Sequence, residues 1–361
     1  MTGTPDPTPA IDRATADTAI SAWLFVCAAM VAAMVVLGGA TRLTESGLSI
    51  VHWKPFTGIL PPLGEADWQR LFDAYRDSPE FRRVNFWMSL ADFKTIFWLE
   101  YLHRLWGRLI GVVFLLPFLW FWIQGRLTGP MVWRLGGVFL LGGLQGLLGW
   151  YMVKSGLVDR PEVSQYRLAA HLCLALLIYA LLLWYALRYR LPRRAVRGPY
   201  YGLAVALLCW TGLTVFWGAL VAGLDAGLAY NTFPLMDGAL IPEGALSLSP
   251  WWINPFENTA LVQLIHRMLG IGLVVLALAL AWRVRSAARP IRRAGQAVAG
   301  MVLLQMGLGI ATLLTAVALP LGVAHQAGAL VVLSLAVWFL YALGLDSAGL
   351  VRRPNSTAPS R

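Results

Sequence analysis

Charge and cysteine are both scarce in this 361-residue chain: 13% of residues are Asp, Glu, Lys or Arg, and three are Cys. Cys27, Cys173 and Cys209 lie scattered inside apolar segments. They form no C-x-x-C-H attachment motif and no zinc spacing, and no loop pair is available for a disulfide, so small buried apolar residues are expected. An Asp-rich motif for a magnesium diphosphate is missing, which argues against a prenyltransferase. A Gly-rich phosphate loop and a dinucleotide fingerprint are missing too. Acidic residues number 18 against 29 Lys plus Arg, yet the first 19 residues hold Asp6, Asp12 and Asp17 against Arg13 alone. That is the reverse of a mitochondrial transit peptide. Residues 1–19 are expected to be a disordered cytoplasmic lead-in, with the first apolar run retained as a helix and no cleavable signal.

What the chain has in excess is apolar surface. It is 58% hydrophobic, with a mean hydropathy of +0.64, more than a soluble domain buries, so it reads as an integral membrane protein. Eight apolar runs are long enough to span a bilayer: roughly 20–41, 96–123, 130–153, 166–189, 199–223, 258–284, 292–317 and 323–346. Trp23, Trp53, Trp68, Trp87, Trp251 and Trp252 fall at run ends and in loops, where indole favours the water–lipid interface. The formal charge of +11 follows topology, not a nucleic-acid partner. Arg188, Arg190, Arg193, Arg194 and Arg197 separate runs four and five; Arg283, Arg285, Arg289, Arg292 and Arg293 separate runs six and seven; Arg352 and Arg353 follow run eight. The 224–257 loop has four acids and no Lys or Arg. The positive-inside rule then puts both termini in the cytoplasm, as for a multi-pass protein of a bacterial inner membrane.

The two halves resemble each other at four points in the same order. Ser46-Gly47-Leu48-Ser49 pairs with Ala226-Gly227-Leu228-Ala229, and Tyr101-Leu102-His103-Arg104-Leu105 with Leu264-Ile265-His266-Arg267-Met268. Gln145-Gly146-Leu147-Leu148-Gly149 pairs with Gln305-Met306-Gly307-Leu308-Gly309, and Ala169-Ala170-His171 with Val323-Ala324-His325. Such agreement indicates a duplication. Four spans per half give both halves one orientation. The expected fold is all-α: two four-helix bundles, 20–189 and 199–346, related by a pseudo-twofold axis along the membrane normal. A cytoplasmic linker (190–198) joins them and a cytoplasmic tail (347–361) follows. In the first outside loop, Trp68, Leu71, Phe72 and Tyr75 have helical spacing, and Ser78-Pro79-Glu80 is a helix start. One or two amphipathic helices on the outer surface are expected there. The matching loop of the second half, with Pro234, Pro242, Pro250 and Pro255, is expected to be irregular.

Four of the five histidines fall one each in alternate runs: His103 and His171, then His266 and His325. With both termini inside, all four lie in the first turns of inward-travelling runs, near the outer leaflet. A tetrapyrrole iron buried in a membrane is held by imidazoles from facing helices, so two pairs imply two haem sites with these histidines as metal ligands. A hydrogen-bonded helix-end residue or a proton relay is the competing reading for each. Ionisable groups at equivalent depth in a repeat favour ligation. His52, outside the repeat, reads as a surface residue. Glu100 is one turn before His103 on its helical face, where a carboxylate can take protons or stabilise positive charge on a substrate. Pairing with Arg104 or the helix N-terminus is its alternative. Gln263 replaces Glu100 in the second half. The asymmetry places chemistry at Glu100, His103 and His171, and a purely bound haem at His266 and His325. Arg104, Arg108 and Arg267 are candidates for clamping propionates, against snorkelling to the interface.

Over roughly 20–346 the chain resembles the haem A synthase family. The resemblance rests on Gly38-Gly39-Ala40-Thr41-Arg42-Leu43-Thr44-Glu45-Ser46-Gly47-Leu48-Ser49, Glu100-Tyr101-Leu102-His103-Arg104, Gly223-Leu224-Asp225-Ala226-Gly227-Leu228, Tyr230-Asn231-Thr232-Phe233-Pro234 and the four histidines. It implies oxidation of the C8 methyl of haem O to a formyl group through a hydroxylated intermediate, giving haem A for aa3-type oxidases. His103 and His171 would bracket the substrate haem, Glu100 would stand near the reacting edge, and His266 and His325 would ligate a haem b. The first outside loop has no cysteine pair, so the chain looks like the cysteine-free type. Implied partners are haem O, the bilayer, an electron-transfer partner, a haem O synthase and oxidase assembly factors. The chemistry fits from below, since oxidising an unactivated methyl needs a metal-centred oxidant or electron sink. A di-haem bis-histidine electron-transfer cytochrome is the alternative; many of these place two histidines on one helix, whereas each helix here has one. A repeat-built transporter would carry broken helices and paired charges at the midplane.

Overall fold

The structure, a computed structural model, describes residues 17–52, 58–156, 163–191 and 198–345. Among these the regular elements are helical, apart from one isolated bridge between Met236 and Ala239. In chain order the helices are α1 (Thr18–Leu43), α2 (Glu65–Arg76), α3 (Pro79–Arg83), α4 (Leu90–Ile123), α5 (Gly129–Gly156), α6 (Gln165–Arg190), α7 (Tyr201–Gly223), α8 (Asn254–Glu257), α9 (Thr259–Arg283), α10 (Arg289–Leu314) and α11 (Leu319–Ala342). Eight of them are long and apolar enough to cross a membrane. The shortest of these, α7, has 23 residues, about 35 Å at ~1.5 Å per residue, against a hydrocarbon core of ~30 Å.

The eight apolar runs map onto these helices, with two shifts. Helix α4 starts at Leu90, not 96, because Ser89 and Asp92 form a reciprocal capping box upstream of the apolar stretch. Helix α11 starts at Leu319, with Pro320 in its first turn, and ends at Ala342, where Leu343-Gly344-Leu345 turns away. The expected lead-in (1–19), linker (190–198) and tail (347–361) fall largely or wholly outside the described residues.

In the first half α1 packs on α4 and α6, and α5 on α6 and α4. In the second, α7 packs on α9 and α11, and α10 on α11 and α9. Contact between the halves runs through α1 with α11, α6 with α7, and α6 with α11. Substituting each helix by its repeat partner returns the same three pairings. Lipid tails are as apolar as leucine, so polar contacts and close approach have to hold such helices together. Tyr179 Oη and Ser334 Oγ, 2.7 Å apart, join α6 to α11, and Gln326 Nε2 donates to Val35 O at 2.8 Å to join α11 to α1.

The outer loop of the first half folds as its periodicity suggests. Ser78 Oγ accepts from Phe81 N at 3.2 Å, and Pro79 opens α3. The apolar face of α2 is met by protein: Trp68, Phe72 and Tyr75 pack on Phe93, Ile96, Phe97 and Tyr101 of the α4 extension. Tyr75 stacks on Phe93 with centroids 5.2 Å apart. Glu80 is buried in this cap, and its Oε2 has no hydrogen-bond partner among the described residues. Desolvation first, then the charges of Glu100 and Glu45, push its carboxyl up to about 8, while its bond to Tyr75 pulls the other way. Asn85 Nδ2 donates to that tyrosine's hydroxyl at 2.8 Å.

A carboxyl whose folded value lies above its ordinary 4.5 supports the fold fully below that value and loses the support as pH rises through about 8. The cap over α4 should therefore loosen across this window. Glu80→Gln should keep it tight to about pH 9. Hydrogen exchange of the α2 and α3 amides reads this directly; a parental cap insensitive to pH would remove Glu80 as the cause.

The second outer loop is built of short pieces: 3-10 turns at Ala226–Leu228 and Trp251–Ile253, the Met236–Ala239 bridge, and α8. Asn254, fully buried, ties the piece together by donating to Leu248 O and Trp251 O and accepting from Leu248 N.

Candidate functional site

The four histidines lie on α4, α6, α9 and α11. They are deeper along their helices than the first turn expected for them. His171, His266 and His325 are in the second turn or just beyond it, and His103 is in the fourth because α4 projects outward. In the second half the structure brings the two together: the His266 and His325 rings are 6.5 Å apart centre to centre, with planes at 88°. Two imidazoles sharing one metal at roughly 2 Å per nitrogen have centres about 6 Å apart, a separation this pair matches. His103 and His171 stand on the corresponding helices of the first half. Nδ1 of both these residues is buried without a hydrogen-bond partner among the described residues. No group of three or more His, Cys, Asp or Glu is placed to hold a metal ion among the described residues. His52 is exposed.

The chain turns sharply on leaving α1 and again on leaving α7. Non-glycine residues in the left-handed region make both turns, Glu45 at φ 52° and Asp225 at φ 49°, a conformation in which Asp is enriched and which is otherwise uncommon. Arg42 joins the two exits, donating to Ala222 O and Asp225 Oδ1, each at 2.9 Å.

Glu100, 3% exposed, anchors the first of these loops. Its Oε2 accepts from Ser49 Oγ at 2.6 Å and from Ile50 N at 2.7 Å, and its Oε1 pairs with Arg104. Arg104 Nη2 also donates to Ile50 O at 3.0 Å. In the second half Gln263 does the same task with its polarity reversed. Its Nε2 donates to Ala226 O at 2.7 Å and Tyr230 O at 3.2 Å, and its Oε1 accepts from Arg267 at 3.1 Å. Arg267 reaches Tyr230 O and Thr232 O, each at 2.8 Å. The pairing of Glu100 with Arg104 is thus present, and both arginines spend donors on loop carbonyls. Glu100 is a buried acid one turn before His103, and Gln263 a buried neutral amide one turn before His266.

Sequence reasoning missed the surface against which each imidazole lies. A Cβ added at Gly38, Gly149, Gly218 or Gly309 would meet Cε1 of His103, His171, His266 or His325 at 3.1, 3.1, 2.9 and 2.8 Å respectively. Two of these glycines stood in a repeated motif, which was the available signal.

An all-helical integral membrane protein with two buried pairs of histidines, and a buried acid one turn before the first of them where the second half has a glutamine, is the class that fold and site define. Residues 21–337 match the family described as cytochrome oxidase assembly protein. The Heme A synthase of Rhodospirillum centenum is 52% identical over 339 residues, covering 91% of this chain and 90% of that protein. The Heme A synthases of Paramagnetospirillum magneticum and Nitrosospira multiformis are 52% and 49% identical, over 90% and 88% of this chain and 94% and 92% of theirs. The chain belongs to this cytochrome oxidase assembly family.

Proposed function

We propose that this protein is a haem A synthase that oxidises the C8 methyl of haem O to a formyl group, through a hydroxylated intermediate, in a bacterial inner membrane with both termini cytoplasmic. One observation carries the assignment within this family: two histidine pairs share one construction, and only the first has a buried acid one turn before it. The matched helix pairings and loop clamps support a reading as two bundles, 20–189 and 199–346, related by a twofold axis along the membrane normal.

In the first half, His103 and His171 hold the substrate haem and Glu100 is the proton acceptor. With water as the source of the formyl oxygen, converting a methyl to a formyl group releases protons as well as electrons, and Glu100, held by Ser49 and Ile50, takes up the protons. Arg104 pairs with it. In the second half His266 and His325 hold a haem b, which supplies a store and relay for electrons passing to a redox partner. Gln263 brings no charge there. Arg104 and Arg267 keep the loops closed over the two sites and so exclude water. A haem O synthase and oxidase assembly factors are the expected neighbours.

The test is a chromatographic haem profile of membranes from a host that makes haem O but lacks haem A synthase, with and without this chain. Haem A, or its hydroxylated precursor, should appear with the chain. Unchanged haem O and haem B beside a well-expressed bis-histidine protein, with the redox partner supplied, would favour the electron-transfer cytochrome.

A further inference from the structure

The repeat Gln145-x-x-x-Gly149 on α5 and Gln305-x-x-x-Gly309 on α10 has no part in the chemistry above, and neither helix carries a histidine. Residues four apart share one helical face, and in both helices that face meets the neighbouring helix at its histidine. Gly309 lies so close to His325 that an added Cβ would be 2.8 Å from Cε1 and 3.4 Å from Nδ1; at Gly149 the distance to His171 Cε1 is 3.1 Å. One turn earlier, Gln305 Nε2 donates to His325 O at 2.8 Å and Gln145 Nε2 to His171 O at 3.0 Å. Gln305 Nε2 is also 3.1 Å from His325 Nδ1. Oε1 of both glutamines is buried without a hydrogen-bond partner among the described residues, and so is His171 Nδ1.

Taking the haem-site reading as its basis, we propose that each Gln-x-x-x-Gly pair is an imidazole seat, in which the glycine fixes the ring's position and the glutamine, through its amide nitrogen, ties down the backbone carbonyl of the same histidine. The contacts around a ligating imidazole set its orientation, and a glycine is what lets the ring edge lie against the neighbouring helix. His266 has the same construction with a backbone partner: its Nδ1 is 3.1 Å from Thr214 O, one turn before Gly218. These are positioning residues for the ligands, with no contact to reacting atoms implied.

The experiment uses full-length protein purified with its haem and compares Gly309→Ala and Gln305→Leu with Gly307→Ala, a control on the same helix where a Cβ meets nothing within 4 Å. Haem content, the low-spin electron paramagnetic resonance signal and the haem b midpoint potential are read. Gly309→Ala should weaken haem b retention on the order of 10- to 100-fold, the usual cost of losing a ligand's supporting contact, or shift the resonance of what remains. Gln305→Leu, which adds no bulk at the ring but releases the His325 carbonyl, should keep haem b and shift its low-spin resonance, because the ring is then oriented by the glycine alone. Gly307→Ala should match the parent. Parental spectra and potentials in Gly309→Ala and Gln305→Leu would overturn the seat, as would equal loss in Gly307→Ala, which would indicate general helix packing. If the parent holds no low-spin haem, the haem-site reading itself fails and the seat with it.

Discussion

Glu100→Gln should leave the haem b spectrum intact and lower conversion of haem O by about 10²- to 10⁴-fold, the range typical of a lost general base. The amide has the carboxylate's shape, and the second half already holds its loop with a glutamine at the matching place, where Gln263 bonds Ala226, Tyr230 and Arg267. A fold that tolerates an amide there should tolerate one a turn before His103. What the substitution removes is a buried group able to take a proton. The rival role for Glu100 is mechanical, since its two oxygens hold Ser49, Ile50 and Arg104. Ser49→Ala separates the two. It weakens the clamp and leaves the carboxylate in place, so conversion should persist. The ratio of haem A to haem O in membranes reads both variants. Full conversion by Glu100→Gln would reduce Glu100 to a loop anchor, and equal failure of Ser49→Ala would show that the loop, not the proton, is limiting.

The parts of this molecule that were legible in the sequence are those written in one segment at a time. Apolar runs gave the eight spans, because a bilayer tests each helix separately for length and polarity. The spacing of Trp68, Phe72 and Tyr75 gave α2, and Ser78-Pro79 the start of α3. What depended on a second segment was hidden. The outward extension of α4 rests on a polar capping box that a hydropathy window discards. Glu80 reads as the first-turn acid of a surface helix, and its burial could not be read from its own segment. The arginines beside His103 and His266 read equally well as propionate clamps, and the loop carbonyls they bond are remote in sequence. Two tryptophans show the difficulty best. Trp106 on α4 donates to Met30 O on α1, and Trp210 on α7 donates to Leu269 O on α9, each at 2.9 Å. These are the same two repeat positions with donor and acceptor helices exchanged, so a position-by-position comparison of the halves sees only a mismatch. The glycine seats were hidden for a related reason: with 35 glycines in the chain, the four that touch imidazoles are distinguished only by the helix opposite.

His266→Ala should abolish haem b binding and, with it, conversion, while the first half still takes up haem O. Removing the ligand leaves His325 as the only imidazole on that site, and the residues around it offer no replacement. Gln263 is committed to the Ala226–Tyr230 loop and Gln305 to the backbone of His325 itself. The bundle should survive the change. The core of this half lies further along the helices, where Leu273, Ala277 and Leu280 of α9 pack with Val298 and Val302 of α10 and Val332, Ala336 and Phe339 of α11, several turns from the histidine. His171→Ala should give the opposite pattern, with haem b retained and substrate haem lost. Haem extraction and reduced-minus-oxidised spectra of the two purified variants form a crossed comparison. Each variant controls for misfolding in the other, since a general collapse would remove both haems from both proteins. Normal haem b content in His266→Ala would overturn the assignment of the second half. Retention of haem b together with loss of substrate haem in that variant would mean that the two sites are the other way round, and that Glu100 stands beside the electron relay instead of the substrate.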